Sequence, residues 1–194
     1  MSDELLARLA ALEGLVAEAT GLRLLALAQT IPADKAIVEL GSFKGKSTCY
    51  IASGAQMGLG APVYAVDAWD MPQNIKGKHD FTAPSVREKF YDQTDSLGLS
   101  QSIIAMQGLS AEVGKAFRGS VGMLFIDASH EYEDVRDDFR AWLPHLVIGA
   151  VVVFDDYGRR NPGVRRFVDE LRKRSVLIGW DFDTPPLAIA WKRS

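Results

Sequence analysis

Short apolar runs at 36–40, 62–66, 102–106, 121–126 and 147–154 alternate along this chain with stretches of helical period. Runs rich in β-branched residues and bounded by turn signals read as strands buried on both faces, and such strands joined by helices build a parallel sheet. The helical stretches are 47–57, 84–97 with Val86, Phe90 and Leu97 inward, 110–117, and 131–145 with Val135, Phe139 and Trp142 on one face. A last helix opens at Pro162 and carries Val164, Phe167, Val168 and Leu171. Two more apolar runs, 175–182 and 187–191, are joined only by the loop from Asp183 to Pro186. That loop is too short for a parallel crossover, so these runs are antiparallel neighbours. The pattern predicts an α/β fold: a doubly wound sheet of seven strands, mostly parallel, ending in a C-terminal antiparallel β-hairpin, with helices on both faces.

The N-terminal stretch 3–29 repeats leucine at helical spacing, with a break expected at Gly21. We divide the chain into an N-terminal helical cap, 1–33, and a single domain, 34–194; the cap's leucine stripe suits either a pocket cover or the seam of a homodimer. At 194 residues the chain is long enough for one sizeable core. Its formal charge of −3 gives no electrostatic case for a nucleic-acid partner. No apolar stretch reaches the roughly 20 residues of a membrane span. A lone cysteine, Cys49, rules out an internal disulfide and fits a reducing cytoplasm, and the acidic start is unlike a signal peptide.

The turn after the first strand, Glu39 to Thr48, holds Gly41 and Gly45 and opens a helix. Glycines there let a backbone approach a ligand, and a helix start offers unpaired N–H groups. Two familiar fingerprints fail. The P-loop spaces its first glycine from Gly-Lys-Ser by one residue more than Ser42, Phe43 and Lys44 provide, and the dinucleotide pattern lacks its second glycine because Phe43 stands there. Asp67 ends the second strand 26 residues past Gly41, near the offset of about twenty at which an acid grips ribose hydroxyls. Such an acid can also serve as a turn cap; beside the glycine turn, ribose recognition is favoured. Leu109 and Ser110 follow the third strand, where Ser110 suits either a ring contact or the N-cap of the next helix.

Asp127 closes the fourth strand, and Asp155 and Asp156 close the fifth. Carboxylates gathered at neighbouring strand ends suit a hard cation such as Mg²⁺, Mn²⁺ or Ca²⁺, although consecutive acids also form turns. His130, three residues after Asp127, can bring a titratable imidazole to the same opening or face solvent at a helix start. The stretch 68–83 is the one long irregular segment and a candidate lid or acceptor loop.

The order of these elements resembles the Rossmann-like class I S-adenosylmethionine-dependent methyltransferases, above all the small bacterial sugar and natural-product O-methyltransferases. The likeness is carried by the Glu39-to-Ser47 turn, Val66-Asp67-Ala68-Trp69 and the run Ile126 to Tyr132. It implies that Glu39 and Gly41 hold the methionine end of S-adenosylmethionine, with Ser42, Phe43, Gly45 and Ser47 completing the turn. Asp67 takes the ribose, flanked by Ala68 and Trp69, and the backbone at Leu109 and Ser110 frames the adenine. By the same likeness Asp127, Asp155 and Asp156 hold Mg²⁺ or a similar divalent cation, Asp127 also borders the cofactor, and His130 stands where catechol-type relatives have a lysine base. The expected reaction is O-methylation of a small hydroxylated acceptor: a sugar, natural product or catechol-like molecule. Two departures stand out: the acidic pair is Asp-Asp rather than Asp-Asn, and Leu109 replaces an expected acid. The rival readings are a non-catalytic ligand-binding protein of the same fold, a P-loop phosphotransferase and a nicotinamide-dependent oxidoreductase.

Overall fold

The computed structural model of the chain describes residues 2–69, 84–158 and 160–193. Its strands are β1 (Ala36–Leu40), β2 (Val63–Asp67), β3 (Ile103–Gln107), β4 (Val121–Ile126), β5 (Leu146–Phe154), β6 (Leu177–Asp181) and β7 (Ala188–Lys192). They form one seven-stranded sheet in the order β3-β2-β1-β4-β5-β7-β6. The pairs among β1 to β5 are parallel. β7 runs antiparallel to both of its neighbours. The last two strands are therefore the antiparallel neighbours that the short connection requires. Less evident from the sequence is that β7 slots between β5 and β6. The helix α7 (Pro162–Arg174) carries the chain past one strand position, and the returning β7 fills it.

The remaining crossovers are α3 (Lys46–Met57), α4 (Pro84–Ser96), α5 (Ser110–Ala116) and α6 (Tyr132–Trp142). Successive strand side chains point to opposite faces, and both faces are covered. Val38, Leu40, Leu124, Ile126, Val152 and Phe154 pack beneath Phe139, Trp142 and Phe167 of α6 and α7. Ile37, Val63, Met123, Phe125 and Val153 pack beneath Tyr50 and Ile51 of α3, which is backed in turn by the N-terminal helices.

Those N-terminal helices correct one expectation. The stretch 3–29 is two helices, α1 (Asp3–Ala10) and α2 (Glu18–Ala28), and the break falls between them rather than at Gly21. Gly21 lies inside α2, where an added Cβ would stand 2.6 Å from the Tyr50 ring. The glycine serves close packing of α2 on α3, not a turn. Of the candidate lid, residues 70–83 lie outside the described part. Among the described residues no helix is long and apolar enough to cross a membrane.

The strand order reverses between β1 and β4. From β1 the chain winds outward to β2 and β3, then returns to place β4 on the other side of β1. In open α/β sheets the crevice beyond the carboxyl ends at such a reversal is where ligands bind. The loops entering it here begin at Gly41 and Asp127.

Candidate functional site

Backbone geometry fixes the meeting of these two loops. The Gly41 N–H donates to the Val66 carbonyl at 2.8 Å, and the Asp127 N–H donates to the Leu40 carbonyl at 2.9 Å. Gly41 has φ +91, and a Cβ there would stand 2.7 Å from the Asp127 carbonyl carbon and 2.8 Å from Ala128 Cα. Gly45, φ +87, precedes α3 as its N-cap residue. Between them Phe43 has φ 45. The residue that spoils the dinucleotide pattern thus holds a backbone shape glycine would adopt freely. Two hydrogen bonds offset that strain: its N–H donates to Asp67 Oδ2 at 2.8 Å, and its carbonyl accepts from Trp69 Nε1 at 3.0 Å. Of the four described non-glycine residues with positive φ, Phe43, Trp69 and Asp156 all belong to this site, where backbone strain characteristically gathers.

Glu39 points into the α3 side of the turn and is fully buried. The Thr48 hydroxyl donates to its Oε2, whereas Oε1 has no hydrogen-bond partner among the described residues. Burial pushes this carboxyl up to about 7, the nearby hydroxyls of Ser47, Thr48 and Ser42 hold part of that rise back, and Asp67 adds to it. An orphaned carboxylate oxygen is costly, and a cationic group arriving from the crevice would satisfy it.

Asp67 ties the crevice together, since its other oxygen accepts the Trp69 N–H at 2.7 Å. Burial raises its pKa, and the backbone N–H donors work against that rise. Ala68 and Trp69 are buried, and the indole packs 5.1 Å from the Phe90 ring. The Trp69 ring is therefore packed into the protein interior.

The acidic side brings Asp127, His130 and Asp156 together, with one ligand atom of each within 4.8 Å of the others. The Asp155 N–H donates to the Ile126 carbonyl at 3.1 Å, which extends the β4–β5 ladder and sets the two strand ends side by side. Asp156, φ 58, turns back toward His130, whose Nε2 lies 2.5 Å from Asp156 Oδ2. That contact raises the His130 pKa above its usual value, against the effect of partial burial. Burial raises the Asp127 carboxyl well above the usual range, and the charges of Asp155, Asp156, Glu39 and Asp67 add to it. Asp155 stands outside the close trio. Its Oδ1 accepts the Asp156 N–H at 2.8 Å, and burial lifts it to about 6. His130 also sits slightly ahead of the helix rather than at its start, because α6 begins at Tyr132 with Glu131 as N-cap. Gly163 of α7 lies against this segment, where an added Cβ would be 2.6 Å from the Tyr132 nitrogen.

Ser110 departs from the capping expectation. The N-cap of α5 is Leu109, with no side-chain bond, and Leu109 is exposed. The Ser110 hydroxyl instead donates to Asp138 of α6, and its carbonyl accepts from Trp142 Nε1 at 3.0 Å. Burial raises Asp138 to about 6. Sequence reasoning passed over Asp138, Thr48 and Gln93. Gln93 is a buried glutamine of α4 whose Nε2 donates to the carbonyls of Lys44 at 2.5 Å and Glu13 at 3.0 Å. Glu13 also pairs with Lys44 and Lys89. The segment after α1 is thus fastened to the outer side of the glycine turn. A polar residue on a helical stripe carries no sign of such partners in the sequence alone.

Residues 38–157 match the family described as "Methyltransferase domain". A protein of Sinorhizobium fredii, "Uncharacterized protein y4gI", is 29% identical over 130 residues, which cover 66% of this chain and 14% of that protein. The chain thus spans about a seventh of that relative's length. Among solved structures, the O-methyltransferase TomG from Streptomyces achromogenes, involved in tomaymycin synthesis and in complex with SAM, superposes with a TM-score of 0.72 at 20% identity, covering 100% of this chain and 92% of that one. An O-methyltransferase from Bacillus cereus in complex with SAH gives 0.71 at 18% identity, covering 99% and 92%. At such identities the likeness establishes a shared fold.

Proposed function

The chain belongs to the methyltransferase-domain family, and we propose that it moves a methyl group from S-adenosylmethionine to a hydroxyl oxygen of a small acceptor, assisted by a divalent cation. The observation that carries this reading is the backbone contact between the Gly41 turn and Asp127. It supports the reading because it holds the turn that follows Glu39 against the strand end that carries Asp127.

The residues fit the donor. The unpartnered Glu39 Oε1 suits an ammonium group, and Asp67, at the end of β2, suits ribose hydroxyls. The backbone at Leu109 and Ser110 would border the adenine. They also fit a hard cation, because the charges of Asp155 and Asp156 add to the cost of ionising Asp127, that of Asp156 adds to the cost of ionising Asp155, and a positive ion relieves both. Asp127 and Asp156 would hold it, with Asp155 completing the acidic wall. When bound, the sulfonium supplies an already electrophilic methyl, and the cation lowers the acceptor hydroxyl's pKa and fixes its direction. The protein's part is then largely alignment. His130, half exposed at the mouth, accepts the hydroxyl proton in its neutral form at Nδ1, because Nε2 faces the Asp156 carboxylate.

Calorimetry with S-adenosylhomocysteine tests the donor pocket, and methyl-labelled S-adenosylmethionine offered to catechols and vicinal-diol sugars tests transfer. The expected result is saturable binding, with label transfer that stops on chelation and returns with Mg²⁺. Absence of S-adenosylhomocysteine binding would remove the basis of this reading.

A further inference from the structure

Thr48 lies in the first turn of α3 with no solvent exposure. A threonine on a helix commonly turns its hydroxyl back to a carbonyl of its own helix. Here the hydroxyl instead donates across the β1–α3 turn to Glu39 Oε2. The two oxygens of one buried carboxyl are thereby made unequal, since Oε2 is held by Thr48 and Oε1 has no hydrogen-bond partner among the described residues. The neighbours that most influence this carboxyl are the hydroxyls of Ser47, Thr48 and Ser42 and another acid, Asp67. Among the described residues the Glu39 carboxyl is therefore a buried, oriented acceptor with no basic side chain paired to it.

We propose that Thr48 is a positioning residue for the methionine end of the donor: its hydroxyl fixes the Glu39 carboxyl so that Oε1 is presented to the ammonium group. This rests on the S-adenosylmethionine reading above and assigns a role within it to a residue that touches no ligand. Thr48→Val keeps the side chain's shape and removes the donor, whereas Thr48→Ser keeps the donor and drops a methyl.

The test is calorimetry of each variant with S-adenosylhomocysteine and with 5′-methylthioadenosine, which has the nucleoside and thioether but lacks the amino-acid end. Thr48→Val should bind S-adenosylhomocysteine about tenfold more weakly. It should bind methylthioadenosine within about twofold of the wild type, and Thr48→Ser should recover S-adenosylhomocysteine affinity to within about twofold. If Thr48→Val does not fold, Thr48→Ala carries the same expectations. An unchanged affinity for S-adenosylhomocysteine overturns the proposal, as does an equal loss for both ligands. Wild-type protein that binds neither ligand overturns the donor reading itself, and the Thr48 role with it.

Discussion

Replacing Gly41 by alanine tests the join between the two halves of the site, and the structure supplies the scale of the effect. The residue has φ +91, and the new methyl would sit 2.7 and 2.8 Å from two backbone carbons, those of the Asp127 carbonyl and Ala128 Cα. Comfortable carbon contacts are about 3.5–4.0 Å, so the overlap is about 1 Å against atoms that no side-chain rotation can move. Left-handed backbone costs a non-glycine residue about 1–2 kcal/mol, and forced overpacking roughly 1–3 kcal/mol more. For a domain of this size each kcal/mol lowers the melting temperature by about 2–4 °C. Gly60 supplies the control: its φ is +80, but nothing lies within 4 Å of its would-be Cβ. Gly60→Ala should therefore lose only the backbone term. Gly41→Ala should melt several degrees lower than Gly60→Ala and bind S-adenosylhomocysteine at least about tenfold more weakly, because relief comes only by parting the Gly41 turn from Asp127. Thermal unfolding and calorimetry read both effects. Equal melting temperatures and equal affinities for the two variants would refute the claim that these loops are in enforced contact.

Other expectations follow from the titrating groups. Burial raises Glu39 from 4.5 to about 7, so the ligand-free fold favours its protonated form; that contribution is complete below pH 4.5 and is lost as pH rises through about 7. Glu39→Gln should therefore melt above wild type near pH 8, the gap closing toward pH 4.5, while its S-adenosylhomocysteine affinity falls. In metal-free protein the raised His130 pKa means that its pair with Asp156 stabilises fully below pH 6.5 and fades as pH climbs through the raised value. His130→Gln should accordingly flatten the melting temperature between about pH 6 and 8, and should lower turnover by about 10²–10⁴-fold with an acceptor in hand. Asp156→Asn should abolish the rise in melting temperature that Mg²⁺ gives the wild type, whereas Asp138→Asn, on the α5–α6 seam, should leave that rise intact.

Much of the fold was written in local patterns. β4 and the second half of β5, residues 150–154, are buried apolar runs, and acids just past their ends mark where the chain leaves the sheet. The N-terminal break was misplaced because Leu12 and Val16, outside any helix, still pack on the core and keep the leucine spacing going. The glycine at position 21, which looks like a break, is demanded by the Tyr50 ring. The order of the last two strands was not legible either, since antiparallel pairing says nothing about which strand borders β5. At the candidate site the structure shows partnerships that spacing along the chain did not reveal. His130 meets Asp156 rather than Asp155 because Asp156 takes positive φ. Ser110 turns to an acid on α6, and Thr48 to one on β1. Such pairings depend on how elements lie across one another, which one-dimensional spacing does not encode.

The most direct test of the shared mouth is a crystal structure with S-adenosylhomocysteine and Mg²⁺ both present. The account predicts the amino-acid end at Glu39 and Gly41, the ribose at Asp67, and the ion on Asp127 and Asp156 beside the sulfur. A nucleoside lodged elsewhere on the sheet, or an ion bound away from Asp127, would contradict it.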